Sequence, residues 1–211
     1  MTDLFSGITE ADLPKLLNCI QSRIVEFKRG DLIIEEGTSV TEFGVLLSGQ
    51  ARSIKWDLSG RLIIISFIEP QSVMGVLVAS RADSVSPVSV EATEDCRVML
   101  IPFARLLSRC SGNCAGHDQL LRNYVSAVAD KGLELHERIN CLLKPTVREK
   151  ILTFLQRTAR QKKSQSFHIQ MDRNDMAEYL NVERSALSRE LSKMKKDGLL
   201  NYRKDWFELL Q

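Results

Sequence analysis

Apolar positions change period along this chain, and the changes divide it into segments of different architecture. Near the N-terminus Leu13, Leu16, Leu17 and Ile20 recur at helical spacing behind Thr9 and Asp12, a pair that resembles a capping box. From about Ile24 to Ile101 the period shortens. β-rich runs at 32–34, 43–47, 51–56, 62–68, 88–91 and 97–101 are separated by turn signals at Gly30, Gly37, Gly49, Gly60 and Pro70. Short strands at such regular spacing predict an antiparallel barrel or sandwich. Pro102 then suits the first turn of a helix reaching about Ser108.

Helical period returns after residue 117 and lasts to 143. Leu121, Val125, Val128, Gly132, Leu135, Ile139 and Leu142 follow an unbroken 4-3 spacing, the pattern of a coiled-coil seam. At ~1.5 Å per residue this helix spans on the order of 35–40 Å. Its apolar stripe is narrow, which suits a second copy of the same helix; an ordinary helix lying on the β domain is the alternative. Gly132 on the stripe would let two backbones come close. Lys144–Pro145–Thr146 ends the helix, and Val147, Ile151, Phe154 and Leu155 start another. Residues 160–166 (RQKKSQS) read as a polar linker or exposed loop.

The segment from Asp172 to Trp206 carries the functional signal. Asp172 is an N-cap with Asp175 three residues on, followed by the apolar stripe Met176, Ala177 and Leu180. Asn181 tolerates the left-handed conformation that ends a helix in one step. A second helix runs from about Arg184 to Lys196, burying Leu187, Leu191 and Met194, and Gly198 stops it. A short hairpin follows. This is a winged helix-turn-helix, whose second helix is shaped for a DNA major groove. Arg189 is the expected base reader, since Arg binds guanine O6 and N7 bidentately; Arg184, Ser185 and Ser188 lie beside it. Lys193, Lys195, Lys196, Arg203 and Lys204 suit phosphates, which fix register without reading sequence. The bland reading is an amphipathic helix pair with a solvated basic face. Cap, small Ala177, Asn181 turn, Ser/Arg face and basic wing together weigh against it.

Charge sharpens the division. The net charge of +2 says little, but residues 144–211 carry 15 Lys+Arg against 9 Asp+Glu, and residues 1–143 carry 14 against 18. The basic excess therefore lies with the helix-turn-helix, where a double-stranded DNA partner needs it. The opening MTDLFSGITEADL lacks the n- and h-regions of a signal peptide, and no apolar run approaches the roughly 20 residues of a membrane span. With five cysteines, an odd number, the expectation is a cytoplasmic protein with reduced thiols and no membrane partner. Nucleophile elbow, P-loop, paired-carboxylate and zinc-protease motifs are all missing, so the sequence does not read as an enzyme.

The order of β-barrel, long helix, hinge and winged helix-turn-helix resembles the CRP/FNR family of bacterial transcription regulators over nearly the whole chain. FKRGDLIIEEGTSVTEFGVLLSGQARS looks like the family's opening β-roll segment, and SALSREL looks like its recognition helix. The resemblance implies an α+β protein: a cyclic-nucleotide-binding-like β-roll that senses an effector (1–116), a long dimerisation helix (117–143) and a winged helix-turn-helix domain (144–211). It implies a homodimer that binds a palindromic operator in response to a small-molecule or redox effector; family activators also contact RNA polymerase. Two positions depart from the pattern. Cyclic-AMP-binding members have a Glu after a Gly for the ribose, and an Arg-Ser pair for the cyclic phosphate. Here Gly75 is followed by Val76, and the Arg-Ser position falls near Ser86–Pro87 with no Arg. Without those charge-assisted bonds tight cyclic-AMP binding is not expected. Ser185 stands where members often have a Glu that accepts from cytosine N4, so the half-site read here is expected to differ. Glu183 is an unusual cap.

The effector therefore stays open. Cys110, Cys114 and His117 are the one constellation that suits a metal, one ligand short of a closed zinc site unless Cys19, Cys141 or a second subunit adds another. Haem with His117 or His136 as axial ligand, and a reversible Cys110–Cys114 disulfide, are further options. Compact core thiols beside a surface His are the plainer reading. A rival function is a redox or metal sensor that signals through protein–protein contact without specific DNA binding.

Overall fold

The computed structural model describes residues 3–108 and 116–210. The chain divides into two compact units, Met1–Leu133 and Glu134–Gln211. That division falls inside one long helix, which contributes residues to both.

The first unit opens with a 3-10 turn (Asp3–Phe5) and helix α1 (Leu13–Cys19). The expected Thr9–Asp12 capping box on the first helix is corrected here: the two residues do pair, Asp12 N–H donating to Thr9 Oγ1 at 3.2 Å and Thr9 Oγ1 to Asp12 Oδ2 at 2.6 Å. It closes a turn ahead of α1 and does not cap α1 itself, whose N-cap Asp12 makes no side-chain capping bond.

Eight strands follow: β1 (Arg23–Phe27), β2 (Leu32–Ile34), β3 (Glu42–Ser48), β4 (Ala51–Trp56), β5 (Leu62–Ile68), β6 (Val73–Met74), β7 (Ser89–Ala92) and β8 (Cys96–Pro102). They build two antiparallel sheets, ordered β1-β8-β3-β6 and β2-β7-β4-β5. Alternation decides which residues point in. Ile64, Ser66 and Ile68 of β5 are buried while Ile63, Ile65 and Phe67 are half-buried. Leu46, Ala51, Ile68, Met74, Val90 and Val98 form one core. Gly49 makes one tight turn possible: a Cβ there would lie 2.3 Å from the Asp95 carbonyl oxygen.

Helix α2 (Val76–Ala79) lies between β6 and β7, and α3 (Phe103–Leu107), with Pro102 at its N-cap position, follows β8. Helix α4 (His117–Leu142) follows. Its first turns pack Leu120 and Tyr124 into a second core with Leu4, Leu16, Ile20, Phe43, Val76 and Ile101. The Tyr124 ring lies 4.8 Å from Phe43 and 5.4 Å from Phe103, and its hydroxyl donates to Val76 O at 2.6 Å. Burial pushes that phenol up from its usual range.

The second unit contains α5 (Val147–Lys162), β9 (Ser166–His168), α6 (Arg173–Leu180), α7 (Arg184–Lys196), β10 (Leu200–Arg203) and β11 (Trp206–Leu209). Thr146 and Glu149 close a full capping box on α5, right after the Pro145 break. The expected linker at 160–166 is corrected here. Arg160, Gln161 and Lys162 are good helix formers and extend α5 by another turn, Lys163 ends it at φ 52°, and Ser166 already pairs with Glu208 of β11. The three strands form an antiparallel sheet ordered β10-β11-β9. Ile151, Leu155, Met176, Leu180, Leu187, Leu191, Met194 and Phe207 fill the core between sheet and helices.

Candidate nucleic-acid interface

Local chemistry sets the geometry of the helix pair. Asp172 Oδ1 accepts from the amides of Asn174 at 2.7 Å and Asp175 at 2.9 Å, satisfying donors that a helix start leaves free. Asn181 ends α6 at φ 50°, ψ 60°, and Val182 N–H returns to Ala177 O at 3.0 Å. Only three residues separate α6 from α7. Glu183 precedes α7 in extended conformation and offers no side-chain cap, in line with its oddness in the sequence. Leu187, Leu191 and Met194 are fully buried, which fixes the opposite face outward.

That outward face carries Arg184, Ser185, Ser188, Arg189 and Ser192, all exposed. Arg189 Nε donates to Ser185 O at 3.3 Å, so its stem lies back along the helix. Among the described residues none of Arg184, Arg189, Lys193, Lys195, Lys196, Arg203 and Lys204 forms an ion pair with a carboxylate. Two acidic residues of this region are engaged elsewhere. Glu190 and Asp197 both accept from Arg148 of α5, which keeps negative charge off the outward face and raises the Arg148 pKa.

The hairpin β10–β11 turns at Lys204, φ 54°, and Asp205. Asp205 Oδ2 lies 2.9 Å from His168 Nδ1, and this hydrogen bond holds its carboxyl below the usual carboxylate range. Arg203 and Lys204 are exposed, as a wing requires. Four residues not grouped in the sequence meet beside them. The Tyr202 ring has the Arg173 guanidinium 5.1 Å from its centroid and Lys195 Nζ at 5.6 Å. Its hydroxyl is 3.3 Å from Ser192 Oγ. Arg173 also covers Phe207 at 4.9 Å and donates to Lys204 O at 2.6 Å. An aromatic residue two before a turn lysine is the one sequence signal that could have drawn attention to Tyr202.

The other predicted sites are placed as follows. Gly75 takes φ 73° and starts α2, with Ile34 Cδ1 3.2 Å from where a Cβ would stand. Val76 is 1% exposed within the core, and buried Ser86 donates to Val88 O at 2.7 Å. Arg81, a cation of the loop before Ser86 that could stand in for the missing Arg, forms a two-pronged pair with Asp83 at 2.8 and 2.7 Å. From α4, Lys131 Nζ reaches Ser66 Oγ inside the roll at 3.1 Å.

Along α4 the predicted seam splits. Leu121 and Val128 pack on the core of the first unit, Leu135 and Leu142 are half-buried, and Val125 (61%), Gly132 and Ile139 (55%) are exposed.

Cys110 and Cys114 lie outside the described residues. His117 Nε2 is 2.7 Å from Leu106 O. The described residues include no cluster of three or more His, Cys, Asp or Glu side chains placed for a metal. Cys96 donates to Gln50 O and Cys141 to Lys150 O, and burial pushes both thiols up.

A two-sheet roll followed by a long helix and a winged helix-turn-helix with an uncommitted basic face defines a DNA-binding transcription regulator. The chain belongs to the CRP/FNR family, which comprises transcription regulators and not enzymes: residues 24–113 match the cyclic nucleotide-binding domain and residues 149–211 the Crp-like helix-turn-helix domain. The transcriptional activator protein FnrA of Stutzerimonas stutzeri is 26% identical over 196 residues, covering 87% of this chain and 75% of the relative. The nitrogen fixation regulation protein FixK of Bradyrhizobium diazoefficiens is 25% identical over 187 residues, covering 84% and 74%. In fold, FixK2 from Bradyrhizobium japonicum superposes with a TM-score of 0.70 at 22% identity, over 90% of this chain and 93% of that one. The c-di-GMP responsive regulator CLP of Xanthomonas campestris gives 0.75 at 15% identity, over 96% and 100%. No helix among the described residues is long and apolar enough to cross a membrane.

Proposed function

We propose that this protein is an effector-responsive homodimer that binds a palindromic operator by inserting α7 of each copy into successive major grooves. The observation that carries the reading is the outward face of α7, where Arg184, Ser185, Ser188 and Arg189 are exposed without carboxylate partners among the described residues. Arg189 reads guanine, Arg184, Ser185 and Ser188 set its register, and Lys193, Arg203 and Lys204 hold phosphates. The exposed apolar residues Val125 and Ile139 of α4, seven residues either side of the open Gly132, support pairing with a second copy. A two-fold dimer presents two reading helices to two half-sites.

Tight binding of cyclic AMP is not expected. Val76 is packed in the core where an acceptor for ribose hydroxyls would be needed, Ser86 is engaged in its own turn, and Arg81 is held by Asp83. A metal at Cys110, Cys114 and His117, haem on His117 or His136, or thiol oxidation, stands as the alternative signal; the visible spectrum and metal content of anaerobically purified protein decide between them and a diffusible ligand.

The test is selection of genomic fragments followed by affinity measurement across salt. A recovered palindrome bound with a steep salt dependence is expected. Failure to retain any fragment in both reduced and oxidised protein overturns the reading and favours a sensor that acts through protein contact. Micromolar cyclic-AMP binding by calorimetry overturns the effector statement alone.

A further inference from the structure

We infer that Ser192, Lys195 and Tyr202 form a notch that binds one DNA backbone phosphate between the recognition helix and the wing, with Arg173 as the group that positions Tyr202. The proposal rests on the DNA-binding reading above and adds a ligand site at a place where the sequence suggested only separate surface residues.

Three donors of different kinds converge there. Ser192 Oγ and Tyr202 Oη are 3.3 Å apart, and Ser192 Oγ is also 3.0 Å from Ser188 O. In the free protein these hydroxyls hydrogen-bond one another, Tyr202 to Ser192 and Ser192 to Ser188 O. Both protons turn outward by rotation about a single bond, so an anion gains two donors without any backbone change. Lys195 supplies the charge. Its ammonium lies 5.6 Å from the Tyr202 ring centroid and has no carboxylate partner among the described residues. A lysine suits a phosphate as a point charge, while hydroxyls at fixed distance give the site its geometry.

The ring is held from behind. Arg173, at the first position of α6, covers both Tyr202 and Phe207 and ties itself to the wing through Lys204 O. Tyr202 and Phe207 stack with centroids 6.1 Å apart. Arg173 is half-buried, and burial lowers its pKa from the usual guanidinium value. It therefore faces the hydrophobic side of the hairpin and is a positioning residue, not a phosphate ligand. Because Ser192 lies one turn beyond Ser188 and Arg189, a phosphate in the notch sits next to the bases those residues would read, and fixes how deep α7 enters the groove.

Fluorescence anisotropy with a random-sequence duplex of mixed composition tests the notch without knowledge of the operator. Tyr202→Phe keeps the ring and its packing on Arg173 but removes the hydroxyl, and is expected to weaken binding about tenfold, the worth of a hydrogen bond to a charged group. Ser192→Ala is expected to weaken it less, because Tyr202 still donates. Lys195→Ala is expected to reduce the slope of log K against log salt by about 0.9, one phosphate's worth, which Tyr202→Phe leaves unchanged. Circular dichroism melts check that each variant stays folded. Wild-type affinity in Tyr202→Phe together with an unchanged salt slope in Lys195→Ala overturns the notch. A wild-type protein that binds no duplex at any salt overturns the DNA-binding reading, and the notch with it.

Discussion

Several cations of the β-roll and those of α7 and the wing are handled in opposite ways. On the roll Arg52 pairs with Glu91, Lys55 with Glu36, Arg81 with Asp83, Arg23 with Glu42 and Lys28 with Asp95. On α7 and the wing the exposed Arg and Lys side chains have no such partner among the described residues, and Glu190 and Asp197 are drawn to Arg148 of α5. Surface ion pairs contribute little to stability, so the difference is not about folding. It concerns what each surface offers a visitor. An anion arriving at the roll must displace a carboxylate from each of these arginines and lysines, whereas one arriving at α7 meets cations with no carboxylate to displace among the described residues. The named cations of the first unit are neutralised by carboxylates of their own, and those of α7 and the wing are left without them.

The contrast breaks most readily at Val76. Val76→Glu restores the acidic residue of cyclic-nucleotide-binding relatives but buries a charge in a core, and it is expected to destabilise the first unit by about 2–5 kcal/mol. Urea melts read by Trp56 in a Trp206→Phe background measure this, and cyclic-AMP binding in place of destabilisation would overturn the contrast. Arg189→Ala comes next, with an expected loss of about 1–3 kcal/mol of discrimination between operator and random DNA. Competition binding reads it; equal loss on both DNAs would make Arg189 a phosphate contact instead. Asp172→Ala removes two capping bonds and is expected to cost about 1 kcal/mol of stability in the second unit, seen as a lower melting midpoint by Trp206 fluorescence with the Trp56 transition unmoved. Smallest is Lys204→Ala. It should weaken all DNA about equally and lower the salt slope by about 0.9, and any change in sequence preference would count against a purely phosphate role.

Residues that act within one turn of themselves were legible in the sequence. Asp172, Asn181 and Gly198 bracket α6 and α7 because capping and left-handed geometry are properties of single residues, and the helix limits Arg184 and Lys196 came out as expected. The strands with strong alternation did too. What depends on distant partners did not. β1 exposes three of its five residues, so its burial follows almost no period, and it exists because it pairs with β8. β6 is two residues long and α2 four, both too short for any periodicity. Residues 160–166 looked like linker because their polarity says nothing about whether β11 is waiting for Ser166. A heptad count found seven positions on α4, yet could not tell that Leu121 and Val128 would face the roll's own core. The meeting of Arg173, Ser192, Lys195 and Tyr202 joins α6, α7 and the wing, and no local rule brings them together.

Lys204 holds a backbone angle of φ 54°, a region where a side chain costs about 1 kcal/mol and glycine almost nothing. A sequence selected for heat resistance alone would put glycine at that hairpin tip. Lysine there means the wing gives up some stability to carry a positive charge at its outermost point. Stabilising the domain and strengthening its grip on DNA are thus opposed at this residue, and an engineer who improves one by editing the turn should expect to lose some of the other.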